Sequence, residues 1–223
     1  MTPTHAVAHD HTGLFGPMIE RMVRLGRSLT PAQWGSPSLC TGWRVCDVYG
    51  HMTYGGATPM HRVLPVLLLR YRGNLTKGSM AESIRYARAR TQEEVLTEFE
   101  RSSHHPVGIG KRIKPAELHL DHVVHELDIR RPLGLASELT PADLTAALDS
   151  SLVVSSPLFA PKKTAAGIRL VASDLEWSGG PDGAPVVGGP AEDLLLALAG
   201  RPAGLAALRG DGLAELTRRI SAA

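Results

Sequence analysis

Side chains able to ligate a metal recur along one stretch, Leu118 to Gly134, reading LHLDHVVHELDIRRPLG. At roughly 100° per residue in a helix, Asp121, His125 and Asp128 fall in one narrow stripe, beside an arc of Leu120, Val124 and Leu127. A carboxylate, an imidazole and a second carboxylate would therefore lie against the buried side of a helix. Such groups are paired or bind a cation, because an isolated buried charge is costly. Asp121 and His125, four residues apart, can reach one ion from consecutive turns. A third donor must come from elsewhere, and His51 is the candidate. Two histidines and a carboxylate, with a position left for water or substrate, make up a catalytic zinc site. Related sets hold non-haem iron or nickel, and residue types do not choose among them.

Each member also has a plainer reading. Asp128 could orient a ligating imidazole or pair with Arg130 or Arg131. His51 could be a buried histidine bonded to a neighbour. An Asp-x-x-x-His spacing alone is a weak motif, met on helices whose polar face is solvated. His122 and Glu126, a quarter turn away, read as rim residues. His119 and Glu117 would serve only in a different register.

Pro115 at the start, with Pro132 and Gly134 at the end, predicts one helix over 115–131 to carry the stripe. His51 falls on a second helix beginning near Thr41, with Val45, Val48 and Met52 on its inward side and Asp47 in its first turn, where the dipole favours it. Between a first helix at 5–29 and this one lies a turn-rich stretch that Trp34 and Trp43 would pin by apolar burial. The first helix turns Leu14, Met18, Met22 and Leu25 inward and Arg21, Arg24 and Arg27 outward. Residues 63–71 (VLPVLLLRY) read as a continuation of the second helix past Gly55, Gly56 and Pro59. Residues 79–103 read as amphipathic helix broken near Thr91, and a last helix is predicted at 141–155.

The texture changes after Pro157. Residues 168–178 alternate as strands do, 190–200 form a helix stopped by Gly200, 205–209 a short strand and 211–220 a closing helix. The boundary between the helical part, 1–156, and a small α/β part, 165–223, falls near 156–165. The early histidines His5, His9 and His11 have no apolar frame and read as a chain start. His104 and His105 read as solvated loop.

The 223 residues allow one large or two small domains, and 43% hydrophobic residues suffice for a core. The net charge of +2 comes without a basic run and aromatics are few, so nucleic acid is not an expected partner. No apolar run reaches about 18 residues, so no membrane partner is expected either. The N-terminus lacks the basic start and apolar core of a secretory signal. The two cysteines, Cys40 and Cys46, match no common zinc or redox spacing, and a reducing, cytoplasmic setting is expected.

Two stretches together resemble the mycothiol-dependent maleylpyruvate isomerase family. SLCTGWRVCDVYGHM (38–52) looks like its first signature, a Cys-x-Gly-Trp turn followed by a helix ending in histidine. LDHVVHELDIRRPLG (120–134) looks like its second, an acid four before a histidine and then Asp-Ile-Arg-Arg. VGGPAEDLLLALAGRP (187–202) resembles its tail domain. The resemblance implies an α+β chain: a DinB-like antiparallel four-helix bundle followed by a small C-terminal α/β domain. It implies His51, Asp121 and His125 as metal ligands, and Arg201 as the basic residue that the tail brings to the site. Arg201 also reads as a helix C-terminal arginine favoured by the dipole, with Arg169 and Arg209 as rivals. The family commonly has Glu where this chain has Asp121. Asp is one methylene shorter, so the ion would shift, the helix would approach, or the carboxylate would act through water.

The implied chemistry is thiol-dependent. The metal, zinc before nickel or iron, holds mycothiol, the actinobacterial low-molecular-weight thiol, as thiolate for addition to a small electrophilic substrate. The expected function is thus a mycothiol-dependent isomerase or transferase. Its rivals are a non-catalytic metal-binding or stress-related DinB-like protein, and a homodimeric module whose triad holds no ion. An open coordination position near Arg201 would favour the enzyme; a fourth protein ligand would favour sequestration.

Overall fold

The computed structural model describes residues 11–156 and 159–221, so His5 and His9 lie outside it. It is mostly helical with one small sheet, an α+β chain. By contact it divides into two compact units. One holds Phe15–Lys114 and Asp128–Glu138; the other holds the described residues before Phe15, which begin α1, with Pro115–Leu127 and the described residues from Leu139 on.

In the helical unit, α1 (His11–Ser28) buries Met18, Ile19, Met22, Val23 and Leu25 at helical spacing. Arg24 and Arg27 are exposed as expected, but Arg21 is buried; it lies close enough to Glu138 to help depress that carboxyl's pKa. Thr30 caps α2 (Pro31–Trp34) reciprocally with Gln33. The next helix, α3 (Val45–Ala57), starts four residues later than predicted, because 38–44 close into a turn. Tyr49 of α3 centres the core. Its hydroxyl donates to the Met22 carbonyl at 2.8 Å, and its ring stacks on Trp34 and meets Phe99 edge-on.

Residues 63–71 do not continue α3. Thr58, ahead of Pro59, is driven out of the helical region (φ −102°, ψ 117°), and α4 (Met60–Tyr71) begins afresh. Helix α5 (Leu75–Arg88) is capped by Asn74, and α6 (Gln92–His104) by a Thr91–Glu94 box, which is the break foreseen at Thr91. A single 3₁₀ turn, Ile109–Arg112, leads out of the unit. Its other residues begin with the last turn of α7 (Pro115–Arg130), which closes on the predicted limits.

The second unit takes the rest of α7, then α8 (Pro141–Ser151), capped by a Thr140–Asp143 box, and α9 (Pro161–Ala165). Strand β1 (Arg169–Ala172) is central. It pairs antiparallel with β2 (Ser178–Gly179) and parallel with β3 (Val186–Gly189). Leu170 and Val187 face the buried helix α10 (Ala191–Leu198), while Val171 and Val186 face out. The strand expected at 205–209 is a 3₁₀ segment, Pro202–Ala207, with one bridge from Arg209 to Gly188. Gly204 lies so close to the Asp193 carbonyl that no Cβ would fit, which holds the segment against α10 instead of the sheet. Helix α11 (Leu213–Ser221) ends the described chain.

Candidate metal centre

The candidate ligands stand on two helices, Asp121 and His125 on α7 and His51 on α3. From His119 to Arg130 every residue of α7 is buried except Asp121, which is half-buried. His125 keeps only 6% of its surface exposed, and its Nε2 lies 3.5 Å from Asp121 Oδ1. That separation exceeds the 2.7–2.9 Å or so of a charge-assisted hydrogen bond. It matches the roughly 3.3–3.4 Å between neighbouring donors that bonds of about 2.0–2.1 Å give around a tetrahedral ion. The pair therefore fits a shared cation, with the carboxylate as its more open side.

The polar neighbours on α7 have other work. His122 and Glu126, expected at a rim, are both buried, because α7 has no solvated face over these turns. His122 Nδ1 sits 2.9 Å from the Leu118 carbonyl, which fixes the proton on that nitrogen, and the ring lies 3.6 Å from Asp121 Oδ2. His119, wholly buried, faces Asp143 at 3.4 Å. Asp128, also wholly buried, accepts from the Cys40 thiol at 3.0 Å, a partner the sequence reading did not weigh.

That thiol belongs to the Cys40-Thr41-Gly42-Trp43 turn, which is fixed at both ends. Ser38 N–H donates to the Trp43 carbonyl at 2.9 Å and Trp43 N–H to the Cys40 carbonyl at 2.9 Å, while Gly42 takes φ +78°. Leu39 N–H donates to the Asp128 carbonyl at 3.0 Å, satisfying one of the last free carbonyls of α7. The turn therefore docks on the end of α7 through backbone and side chain at the same residue.

His51 stands on α3 in the helical unit, half-buried, with the buried Trp43 ring against it at 5.3 Å between centroids. The indole N–H of Trp43 is buried without a hydrogen-bond partner among the described residues. One turn earlier, the wholly buried Asp47 accepts from the Arg44 backbone N–H and from two nitrogens of Arg88 on α5, at 3.0 and 2.8 Å. Gly50 lets α5 come close: a Cβ there would sit 2.6 Å from the Ser83 carbonyl. His51 is thus held on a helix clamped against α5 in the turn just before it. Beside it in sequence, burial first and then the Asp47 carboxylate push the Cys46 thiol up, which makes that thiol inert.

Arg201 lies in the second unit, where its guanidinium donates to the carbonyl of Ala199, the residue that caps α10. Arg169 is taken up by Gly180, Ser178 and Asp182, and Arg209 by the carbonyls of Ala206 and Leu208. A cleft of about 340 Å³ lined by Arg62, Tyr86, Arg90, Glu94 and Glu98 holds none of the candidate ligands. Three of its charges are already occupied, Arg90 over the Tyr86 ring, Glu94 in the cap of α6 and Glu98 by Arg101.

The family model of the mycothiol maleylpyruvate isomerase N-terminal domain matches residues 15–106. The matched segment includes the Cys-x-Gly-Trp turn and His51 and stops before α7. Two solved structures extend the likeness of fold over the mycothiol maleylpyruvate isomerase N-terminal domain and beyond it. One is a crystal structure of the mycothiol-dependent maleylpyruvate isomerase, the other of a histidine-to-alanine mutant of it. Each is 14% identical, covers 95% of this chain and 96% of that chain, and has a TM-score of 0.58. No curated protein matches. Among the described residues no helix is long and apolar enough to cross a membrane.

Proposed function

We propose that His51, Asp121 and His125 hold one divalent cation, zinc before nickel or iron, and that the chain is a mycothiol-dependent isomerase or thiol transferase acting on a small electrophile. The observation that carries this is the Asp121–His125 pair: a buried imidazole and a more open carboxylate at donor-to-donor spacing on one helix. His51 completes a donor set of two imidazoles and one carboxylate, which leaves a coordination position free. The family match over 15–106 supports His51 and the use of a thiol. A cation in such a site lowers the pKa of a thiol enough for thiolate to form at neutral pH.

The chain's own residues set the rest. Burial of His125 keeps water from the imidazole, and the Trp43 ring holds His51 in one orientation. Trp43 N–H is a buried donor with no partner among the described residues, suited to an oxygen or sulfur of a bound molecule. Arg201, whose guanidinium donates to the Ala199 carbonyl, is the basic residue we assign to a substrate carboxylate. We read 1–156 as a DinB-like antiparallel four-helix bundle and 165–223 as its small α/β domain. All three strands fall within 169–189, which supports that division. The setting that goes with mycothiol is an actinobacterial cytoplasm.

A second reading, a non-catalytic metal-binding or stress-related DinB-like protein, is favoured by the hold of the Ala199 carbonyl on Arg201. Cobalt(II)-loaded protein titrated with mycothiol separates the two. A sulfur-to-cobalt absorption band that is absent in His125→Ala supports the thiol enzyme. Cobalt bound by the wild type with no such band supports the second reading, and no cobalt bound rejects both.

A further inference from the structure

We propose that the outer face of α4 and the start of α5 form a peripheral docking surface for anionic phospholipid. Of the twelve residues of α4, only Leu67 is buried, where it packs against Gly78 of α5. Leu64, Leu68, Leu69 and Leu75 are 50%, 56%, 85% and 51% exposed. Scattered single leucines on a surface need no explanation, but four in twelve residues on one hairpin do. At 100° per residue, Leu64, Pro65, Leu68 and Leu69 share one side of α4. His61 and Arg62 flank them at one end and Arg72 at the other.

Along this stretch of chain the charge has one sign, and the carboxylates that share a cleft with Arg62, Glu94 and Glu98, are taken up by the α6 cap and by Arg101. No Asp or Glu occurs between Asp47 and Glu82, while Arg62, Arg70, Arg72 and Lys77 are all exposed. That argues against a second copy as the occupant. Pairing α4 with itself antiparallel sets Arg62 opposite Arg72, and pairing it parallel sets each arginine on its twin, with no carboxylate between. It argues for an anionic surface, which accepts a convex helix without a matching groove. Such a surface takes leucines at the acyl boundary while arginine stems reach the headgroups. The lack of an apolar run of about 18 residues argued against a membrane partner, but a helix that lies on a surface needs no such run.

The test is flotation of the full chain with vesicles of phosphatidylcholine alone or mixed equally with phosphatidylglycerol. Binding is expected only with the anionic lipid. It should fall as salt rises from about 0.05 to about 0.5 M, where screening shortens to a few ångströms. Leu69→Glu should abolish it. Arg62→Gln with Arg72→Gln should weaken it about thirtyfold, at roughly fivefold per cation. All these positions are exposed, so thermal melts of the variants should match the wild type. No binding to anionic vesicles, equal binding to neutral ones, or indifference to Leu69→Glu overturns the proposal. So does a wild-type dimer in sedimentation that Leu69→Glu splits, since a second copy would then cover the face.

Discussion

Replacing Arg88 should damage this protein more than replacing the carboxylate it pairs with. The Asp47 side chain has no exposed surface, whereas that of Arg88 is 45% exposed. Arg88→Ala strips two charge-assisted hydrogen bonds from a carboxylate that water cannot reach. A buried charge abandoned in this way costs about 3–5 kcal/mol. In Asp47→Asn the charge goes, the amide oxygen still accepts from the Arg44 N–H, and Arg88 recovers hydration on its exposed side. The cost there is about 1–2 kcal/mol, the scale of weakened hydrogen bonds. The double variant should therefore be more stable than Arg88→Ala alone. At about 2–4 °C per kcal/mol for a chain of this length, Arg88→Ala should melt roughly 10 °C early. Urea unfolding followed by tryptophan fluorescence measures this, since Trp34 and Trp43 both lie in the unit concerned. Because His51 is one turn beyond Asp47, Arg88→Ala should also weaken metal binding with every ligand intact. A cost for Arg88→Ala below about 1 kcal/mol, as for an exposed ion pair, would refute the reasoning. A double variant worse than either single one would refute it too.

Trp43→Phe keeps an aromatic ring on His51 and removes an indole N–H that has no partner among the described residues, so apo stability should change by less than about 1 kcal/mol; Trp43→Ala should lose about 3–5 kcal/mol in the same denaturation. Cys40→Ala leaves the buried Asp128 short of a donor and should cost about 1–3 kcal/mol, with Cys40→Ser restoring most of it. Hydrogen bonds from Arg218 and Arg219 lower Glu215 from 4.5 to about 2. Its depressed folded pKa means that the stability it contributes is complete above 4.5 and fades as pH falls toward about 2. The melting-temperature gap between wild type and Glu215→Gln should therefore be constant at neutral pH and close in acid.

The helices were legible where local chemistry writes their ends. Pro115 and Thr91 mark boundaries that the structure keeps, and the apolar spacing of α1 names its core. The break at Thr58 was misread because apolar content was followed across a proline whose effect falls on the residue before it. The strand expected at 205–209 failed for a tertiary reason: Gly204 is drawn onto α10, and no periodicity records that. On α7 the Asp121–His125 pair was readable from a spacing of four. The burial of His122 and Glu126 was not, because a helix buried on every side has no apolar stripe to point inward. The Cys40–Asp128 bond joins residues 88 apart and left no sign in either segment. Nothing in the sequence marks the leucines of α4 as exposed: composition suggests burial, but only packing decides it.

The central claim is that His51, Asp121 and His125 share one cation. Metal analysis of untagged protein purified without chelators tests it most directly, alongside His51→Ala, Asp121→Ala, His125→Ala and, as a control on the same helix, Asp128→Asn. The wild type and the control should carry about one equivalent of divalent metal, and each of the three ligand variants should lose it while remaining folded by circular dichroism. Folded ligand variants that retain the full metal load would contradict the account.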